Sequence, residues 1–344
     1  MPVGNDISKK PLRIAIVTDA WFPHVSGVAT SIDATRKELE KMGHAVLVIG
    51  PSSFKFTLPM PGYPEIKLAL FPGGALTKML DDFKPGAIHI AVEGPLGMAA
   101  RGYCLKRKIR FSTAYHTRFP EYVHVRTGIP EGWTYAFLKW FHGAGVHIMV
   151  SNDILKKELE EHGFKKVVLW HRGVDTDMFK PDDPMPLKEE KPVFMYMGRV
   201  AVEKNIEGFL KLDLPGTKYV VGDGPARAGL ERKYPKVVFT GYKFGPELAR
   251  YVAAADVFVF PSVTDTFGLV MLEANACGVP VAAVPSQAAS TVVKEGVNGI
   301  VSNDLKDACM RALKLSRAKA REVALSMGWR EPTEQFVQNL ITWV

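Results

Sequence analysis

Cysteine is scarce. The chain of 344 residues has three, Cys104, Cys277 and Cys309, far apart and in no CxxC pair. This excludes a disulfide framework and a thiolate zinc site, and it suits a reducing compartment. Long apolar runs are missing too: no stretch approaches the ~20 residues of a membrane-spanning helix, and the polar stretch Met1 to Arg13 lacks the apolar core of a secretory signal. An integral membrane protein is not expected. Short-period repeats are absent, which excludes a solenoid. The first apolar strand is not followed by GxGxxG, as a Rossmann dehydrogenase requires, and no nucleic-acid motif accompanies the basic charge.

What is present describes a globular protein: 47% hydrophobic and 23% charged residues, with 30 Gly and 24 Pro. The length suits two domains, and hence a cleft between them. Residues 1–180 hold 24 Lys and Arg against 17 Asp and Glu, whereas 181–344 hold 20 against 19, so the net charge of +8 belongs almost entirely to the first half. Such an asymmetry marks either a surface for an anionic partner or simply a solvated basic face.

Apolar runs at 13–18, 45–49, 86–91, 110–114 and 145–150 read as strands separated by helical stretches; Val28, Ile32, Leu39 and Met42 give the first helix, closed at Gly43. The segment 179–192, with four prolines, reads as a linker. The alternation restarts at 193–197, 218–221, 237–240, 256–260 and 279–283. The expected fold class is α/β, two doubly wound Rossmann-like domains: 1–180, 181–325, and a helix in 326–344 returning to the first.

In such sheets ligands bind beyond the carboxyl ends of the strands, where helix N-termini favour anions. Ser26-Gly27-Val28 follows the first strand, and Gly27 would let backbone approach a phosphate. Gly198-Arg199, with Glu203-Lys204-Asn205 close behind, places two cations at a strand end, as a diphosphate clamp or a solvated basic loop. Gly222-Asp223-Gly224-Pro225 is a lone GxG and suits a tight turn. The densest block runs from Phe260 to Pro280. It delivers Asp265 into a loop, opens a helix at Phe267-Gly268-Leu269 and sets Glu273 about one turn further on. Asp265 could equally be that helix's N-cap.

These blocks, in this order over nearly the whole chain, resemble retaining glycosyltransferase family 4, of the GT-B fold. The resemblance implies that Glu273 holds the ribose hydroxyls of a nucleotide sugar. It assigns Arg199 and Lys204 to the diphosphate, the Phe267-Gly268-Leu269 backbone to sugar and phosphate, and Gly241-Tyr242-Lys243 to the base. Asp265, one methylene shorter than the family's first glutamate, and His116, in Tyr115-His116-Thr117-Arg118, would face the sugar. A further departure is Pro285-Ser286-Gln287-Ala288-Ala289, which replaces a common glycine pair. Asp175-Thr176-Asp177 imitates a metal-binding DxD but lies in a turn, and no metal or other cofactor is expected.

Trp133, Phe137, Trp140 and Phe141 fall on one stripe of a helix, with Tyr135 and Leu138 on other faces, a stripe that is either core or a membrane interface. Arg101, Lys106, Arg107, Lys108, Arg110 and Arg118 lie near it in sequence and suit anionic headgroups. The stretch from Tyr115 to Trp140 resembles bacterial enzymes that glycosylate diacylglycerol from UDP-glucose or UDP-glucuronate. That points to a peripheral protein of the cytoplasmic membrane's inner face with a lipid acceptor. A GDP-mannose-dependent α-mannosyltransferase is the enzymatic alternative, and a non-catalytic membrane-surface module the alternative of another class.

Overall fold

The structure, a computed structural model, describes residues 11–23, 26–60, 63–116, 118–120, 123 and 127–340. The stretch 1–10 read above for a leader, and Thr117 within the His116 motif, lie outside the described residues. The chain forms two compact units. The first runs to His171 and resumes at Trp329; the second spans Arg172 to Gly328. Among the described residues the first unit holds strands β1 (Arg13–Val17), β2 (Ala45–Ile49), β3 (Thr57–Met60), β4 (Tyr63–Ala69), β5 (Ala87–Ile90), β6 (Ser112–Ala114), β7 (Ile148–Val150) and β8 (Val167–Leu169). The second holds β9 (Val193–Met197), β10 (Thr217–Val221), β11 (Val238–Gly241), β12 (Val257–Phe260), β13 (Val281–Ala283) and β14 (Gly299–Val301).

Each unit carries a six-stranded parallel sheet, ordered β2-β1-β5-β6-β7-β8 and β11-β10-β9-β12-β13-β14. In both, the chain builds outward from one central strand, then crosses over and builds the other way, so the order reverses between β1 and β5 and between β9 and β12. The antiparallel pair β3-β4 stands apart.

Side-chain alternation along the strands explains why helices cover both faces. Ile14 and Ile16 pack with Ile32 and Leu39 of the helix Gly27–Lys41 and with Phe336 of the helix Arg330–Asn339. Ala15 and Val17 turn the other way, onto Leu76 and Leu80 of Gly73–Phe83 and Leu96 and Ala100 of Pro95–Arg107. In the second unit Met195 and Met197 meet Met271 and Leu272 of Leu269–Ala276, while Phe194 and Tyr196 meet Phe209 and Leu305. Each buried Val, Leu, Ile, Met or Phe among them contributes roughly 1.5–3 kcal/mol.

Two expectations need correcting. The proline-rich segment is not a free linker, for the division falls earlier, between His171 and Arg172, and the segment is laid onto the second unit. Phe179 is buried, Met185 N donates to Arg250 O, and Lys191 pairs with Asp256. Proline removes donors from a segment but does not stop it packing. The aromatic stripe is also split. The helix Glu131–Gly143 buries Thr134, Tyr135, Leu138, Phe141 and His142, so Phe141 joins the core while Trp133, Phe137 and Trp140 stay exposed.

Candidate active site

In the second unit the chemistry gathers where β9 and β12 end, at the reversal of strand order. Three glycines shape the ground. Gly198, Gly222 and Gly224 all adopt positive φ, and a Cβ on Gly222 would lie 1.8 Å from the Gly198 carbonyl oxygen. The Gly222-Asp223-Gly224 turn therefore lets two strand-end loops touch backbone to backbone, and Val200 N donates to Asp223 O.

Arg199 leaves β9 one residue past Gly198, mostly buried, with Nη1 3.9 Å from Glu203 Oε1. Lys204 ends a single turn of 3-10 helix and donates from Nζ to Asp265 Oδ1 at 2.5 Å, both side chains about three-quarters buried. Asn205 Nδ2 donates to Pro261 O and Thr264 Oγ1 to Glu203 O, so the loops after β9 and β12 are laced together. Asp265 is thus the lysine's partner and not a helix cap. The cap is Gly268, at φ 76, whose missing side chain leaves the first N–H groups of Leu269–Ala276 uncapped and whose Cβ would strike Met271. Phe267 is buried beneath it.

Glu273 sits on that helix, largely buried. Desolvation alone pushes its carboxyl from the ordinary 4.5 up to about 7. A carboxyl kept this close to neutrality without an ion-pair partner is common at functional sites. At the end of β11, Gly241 turns at φ 75, and beyond it Tyr242 and Phe244 stack with centroids 5.9 Å apart, both exposed. Lys243 bonds Glu247 at 2.7 Å. Asp175 Oδ1 accepts from the N–H groups of Asp177 and Met178, an ordinary turn. Among the described residues no group of three His, Cys, Asp or Glu is placed to hold a metal. A cavity of about 360 Å³ lined by Pro192, Asp256, Pro280 and Arg317 lies at the amino-terminal edge of the same sheet, away from this chemistry.

In the first unit Ser26 caps the helix Gly27–Lys41 through Ala29 N, with Gly27 as the first helical residue. His116 follows β6, partly buried, its ring edge-on to Trp170 at 5.7 Å. Arg118 is ion-paired with Glu158 and Arg107 with Asp81, while Lys108 ends the helix Pro95–Arg107 exposed. The guanidinium of Arg101 lies 3.9 Å from the ring centroid of Trp140. Of the basic side chains near the aromatic helix, Arg107 and Arg118 are therefore tied internally, and so is Arg101, whose Nε and Nη2 donate to Phe141 O and Trp140 O.

Sequence reading missed a second polar group at this unit's own strand-order reversal. Asp19, just past β1 and buried, accepts from Leu96 N at 3.0 Å and Gly97 N at 3.2 Å, capping a helix with no side-chain cap of its own. Burial, opposed by these two bonds, pushes its carboxyl up to about 6. Beyond β5, Glu93 Oε1 lies 2.9 Å from His142 Nε2, and His142 Nδ1 lies 2.9 Å from Thr113 Oγ1. The one available signal was the pairing of strand ends with acids, and the distance along the chain hid it.

Comparison with known proteins agrees with this layout. Residues 25–178 match the model of Glycosyltransferase Family 4, and residues 191–316 that of Glycosyl transferases group 1. The chain is 30% identical, over 79% of its length and 79% of the relative's, to a GDP-mannose-dependent alpha-mannosyltransferase of Mycolicibacterium smegmatis. It is 27% identical, over 88% and 78%, to an alpha-monoglucosyldiacylglycerol synthase of Streptococcus pneumoniae. Among solved structures, Anabaena HepE in complex with UDP and glucose superposes with a TM-score of 0.67 at 14% identity, covering 95% of this chain and 98% of that one.

Proposed function

From the premise that the chain belongs to glycosyltransferase family 4, of the GT-B fold, and is therefore an enzyme using a nucleotide sugar, we propose that it transfers glucose or glucuronic acid from a UDP-sugar to a lipid hydroxyl such as that of diacylglycerol, with retention. The observation that carries the donor half is the Arg199, Lys204 and Asp265 group beside the uncapped helix at Gly268. Two cations and a helix N-terminus at one strand-order reversal suit a diphosphate, whose charge grows as the glycosidic bond breaks. With the cations in that role and Asp175 spent on a turn, no metal is needed. Glu273 suits the ribose hydroxyls, Gly241, Tyr242 and Lys243 the base, and Asp265 and His116 the sugar. In a retaining reaction the leaving diphosphate can take the acceptor's proton, so the protein supplies charge stabilisation and orientation and not a strong base.

The lipid half draws on the exposed Trp133, Phe137 and Trp140, with Arg101 against the Trp140 ring, aromatic and cationic groups that suit an anionic membrane surface at the inner face of the cytoplasmic membrane. No helix among the described residues is long and apolar enough to cross a membrane. The name of the pneumococcal relative supports this acceptor, whereas the mycobacterial one supports a second reading, transfer of mannose from GDP-mannose. The deciding experiment measures release of UDP or GDP from a panel of nucleotide sugars, with and without vesicles of phosphatidylglycerol and diacylglycerol. Release of UDP that rises with diacylglycerol is expected. Turnover of GDP-mannose alone, or a β-linked product by NMR coupling, would overturn the reading.

A further inference from the structure

The two sheets share one plan, and each reverses its strand order beside a central strand. In the second unit that reversal carries the proposed donor group. At the matching position of the first unit, between β1 and β5, stand Asp19 and Glu93, and ligands of open α/β sheets bind at such reversals. The two acids differ in what they have left to offer. Both oxygens of Asp19 are taken by Leu96 N and Gly97 N. Glu93 is not so committed: its side chain is 18% exposed, Oε1 is held by His142, and Oε2 has no hydrogen bond among the described residues.

The support behind Glu93 is costly for a merely structural contact. His142 is fully buried, ringed by Tyr115, Phe141 and Phe164, and fixed at its other nitrogen by Thr113 Oγ1. An apolar pair of similar volume would join helix to sheet without desolvating a carboxylate and an imidazole. What the pair achieves instead is a carboxylate held at one oxygen by a buried ring and partly exposed beyond the carboxyl end of β5.

We propose that Glu93 is an acceptor-contacting residue. Its Oε2 accepts a hydrogen bond from the attacking hydroxyl as the acceptor docks and so orients the oxygen lone pair; as the bond to the sugar forms and the bond to the diphosphate breaks, that hydrogen swings to the leaving diphosphate, which takes the proton, while His142 and Thr113 act as positioning residues that hold the carboxylate. Glu93 itself takes no proton, and the role applies to any hydroxyl nucleophile, water included. It rests on the reading above only in that a sugar is transferred to a hydroxyl.

Glu93→Gln keeps the shape, and its amide oxygen can still accept from His142, but it turns a hydrogen-bond donor toward the hydroxyl. With UDP-glucose as donor and, in turn, dioleoylglycerol vesicles and water as acceptors, the variant should lose at least tenfold in turnover. UDP affinity by calorimetry should stay within twofold and the melting temperature should not change. Thr113→Val, which loosens His142, should raise the KM for diacylglycerol without moving UDP affinity. Wild-type rates in Glu93→Gln, or UDP affinity falling in step with turnover, would overturn the proposal. A wild type that releases nucleotide from no sugar in the panel overturns the functional reading instead, before any variant is made.

Discussion

Glu273 shows how one buried carboxyl links stability to binding. Its folded value of about 7 lies above the 4.5 of an unfolded chain. Between those two values the folded state keeps its proton while the unfolded state has lost it, so stability falls as pH rises through that window, by roughly 3 kcal/mol in all. Glu273→Gln removes the titration, and thermal melts near pH 8 should show a more stable protein than wild type, the gain vanishing near pH 4. If the ionised carboxyl is what holds the ribose, wild-type affinity for UDP-glucose should climb up to about tenfold between about pH 6 and about pH 8, and the variant's should stay low and flat. A flat wild-type profile would detach Glu273 from the donor. Lys204 poses the converse case. Paired with Asp265, it is already charged and oriented, so Lys204→Ala should cost roughly 1.5–3 kcal/mol of donor affinity in calorimetry while leaving the fold intact. These residues were legible in the sequence because they sit in the motif blocks Gly198 to Asn205 and Phe260 to Pro280, on which the family resemblance rests. Asp19 and Glu93 were not, because Asp19 caps a helix 77 positions away and Glu93 owes its setting to a histidine 49 positions on.

At the scale of elements, legibility followed apolar contrast. The runs at β1, β9 and β12 are continuous and almost wholly buried, and that at β2 is continuous and apolar, so they were read near their true ends. Strands β8 and β14, three residues each, carry too few side chains to announce a period, and in the β3-β4 pair Leu58 is exposed, as is Phe56 just before it, while Ala69 at the far end is buried, so no clear alternation marks the strands. The aromatic helix was read with its core residue Phe141 on the exposed stripe, since periodicity alone does not say which side meets the sheet. The GxG turn was legible as a turn but not in its purpose, which is contact between the loops after β9 and β10. Gly222→Ala would set a methyl group against the Gly198 carbonyl at a backbone angle that side chains rarely adopt. A loss of about 2–4 kcal/mol in denaturant melts is expected, with UDP affinity weakened alongside because Arg199 rides on the displaced loop. Unaltered stability would mean that the two loops move apart easily.

For the whole molecule, the path of the chain matters more than its composition. The first unit is interrupted by the entire second unit and is completed only when the chain returns at Trp329. The returning helix Arg330–Asn339 is no ornament to that unit: Phe336 and Val337 are buried against Ile14, Ile16 and Ile32, Phe336 lies 4.8 Å centroid to centroid from Trp170, and Gln335 Oε1 accepts from His171 N. Asn339 adds a bond to Leu169 O at the end of β8. The first unit's core therefore stays open until the last residues are in place. The second unit is contiguous, and its own cores draw on residues between Val174 and Ala324. Phe336→Ala should accordingly destabilise by about 3–5 kcal/mol, the usual cost of emptying a large buried aromatic site, and the loss should be confined to the first unit. Hydrogen exchange resolved by peptide makes the distinction: protection should drop along β1, β5 and β6 and persist along β9, β10 and β12, while UDP affinity, lodged in the second unit, changes little. Equal loss of protection in both sheets would mean that the two units unfold as one.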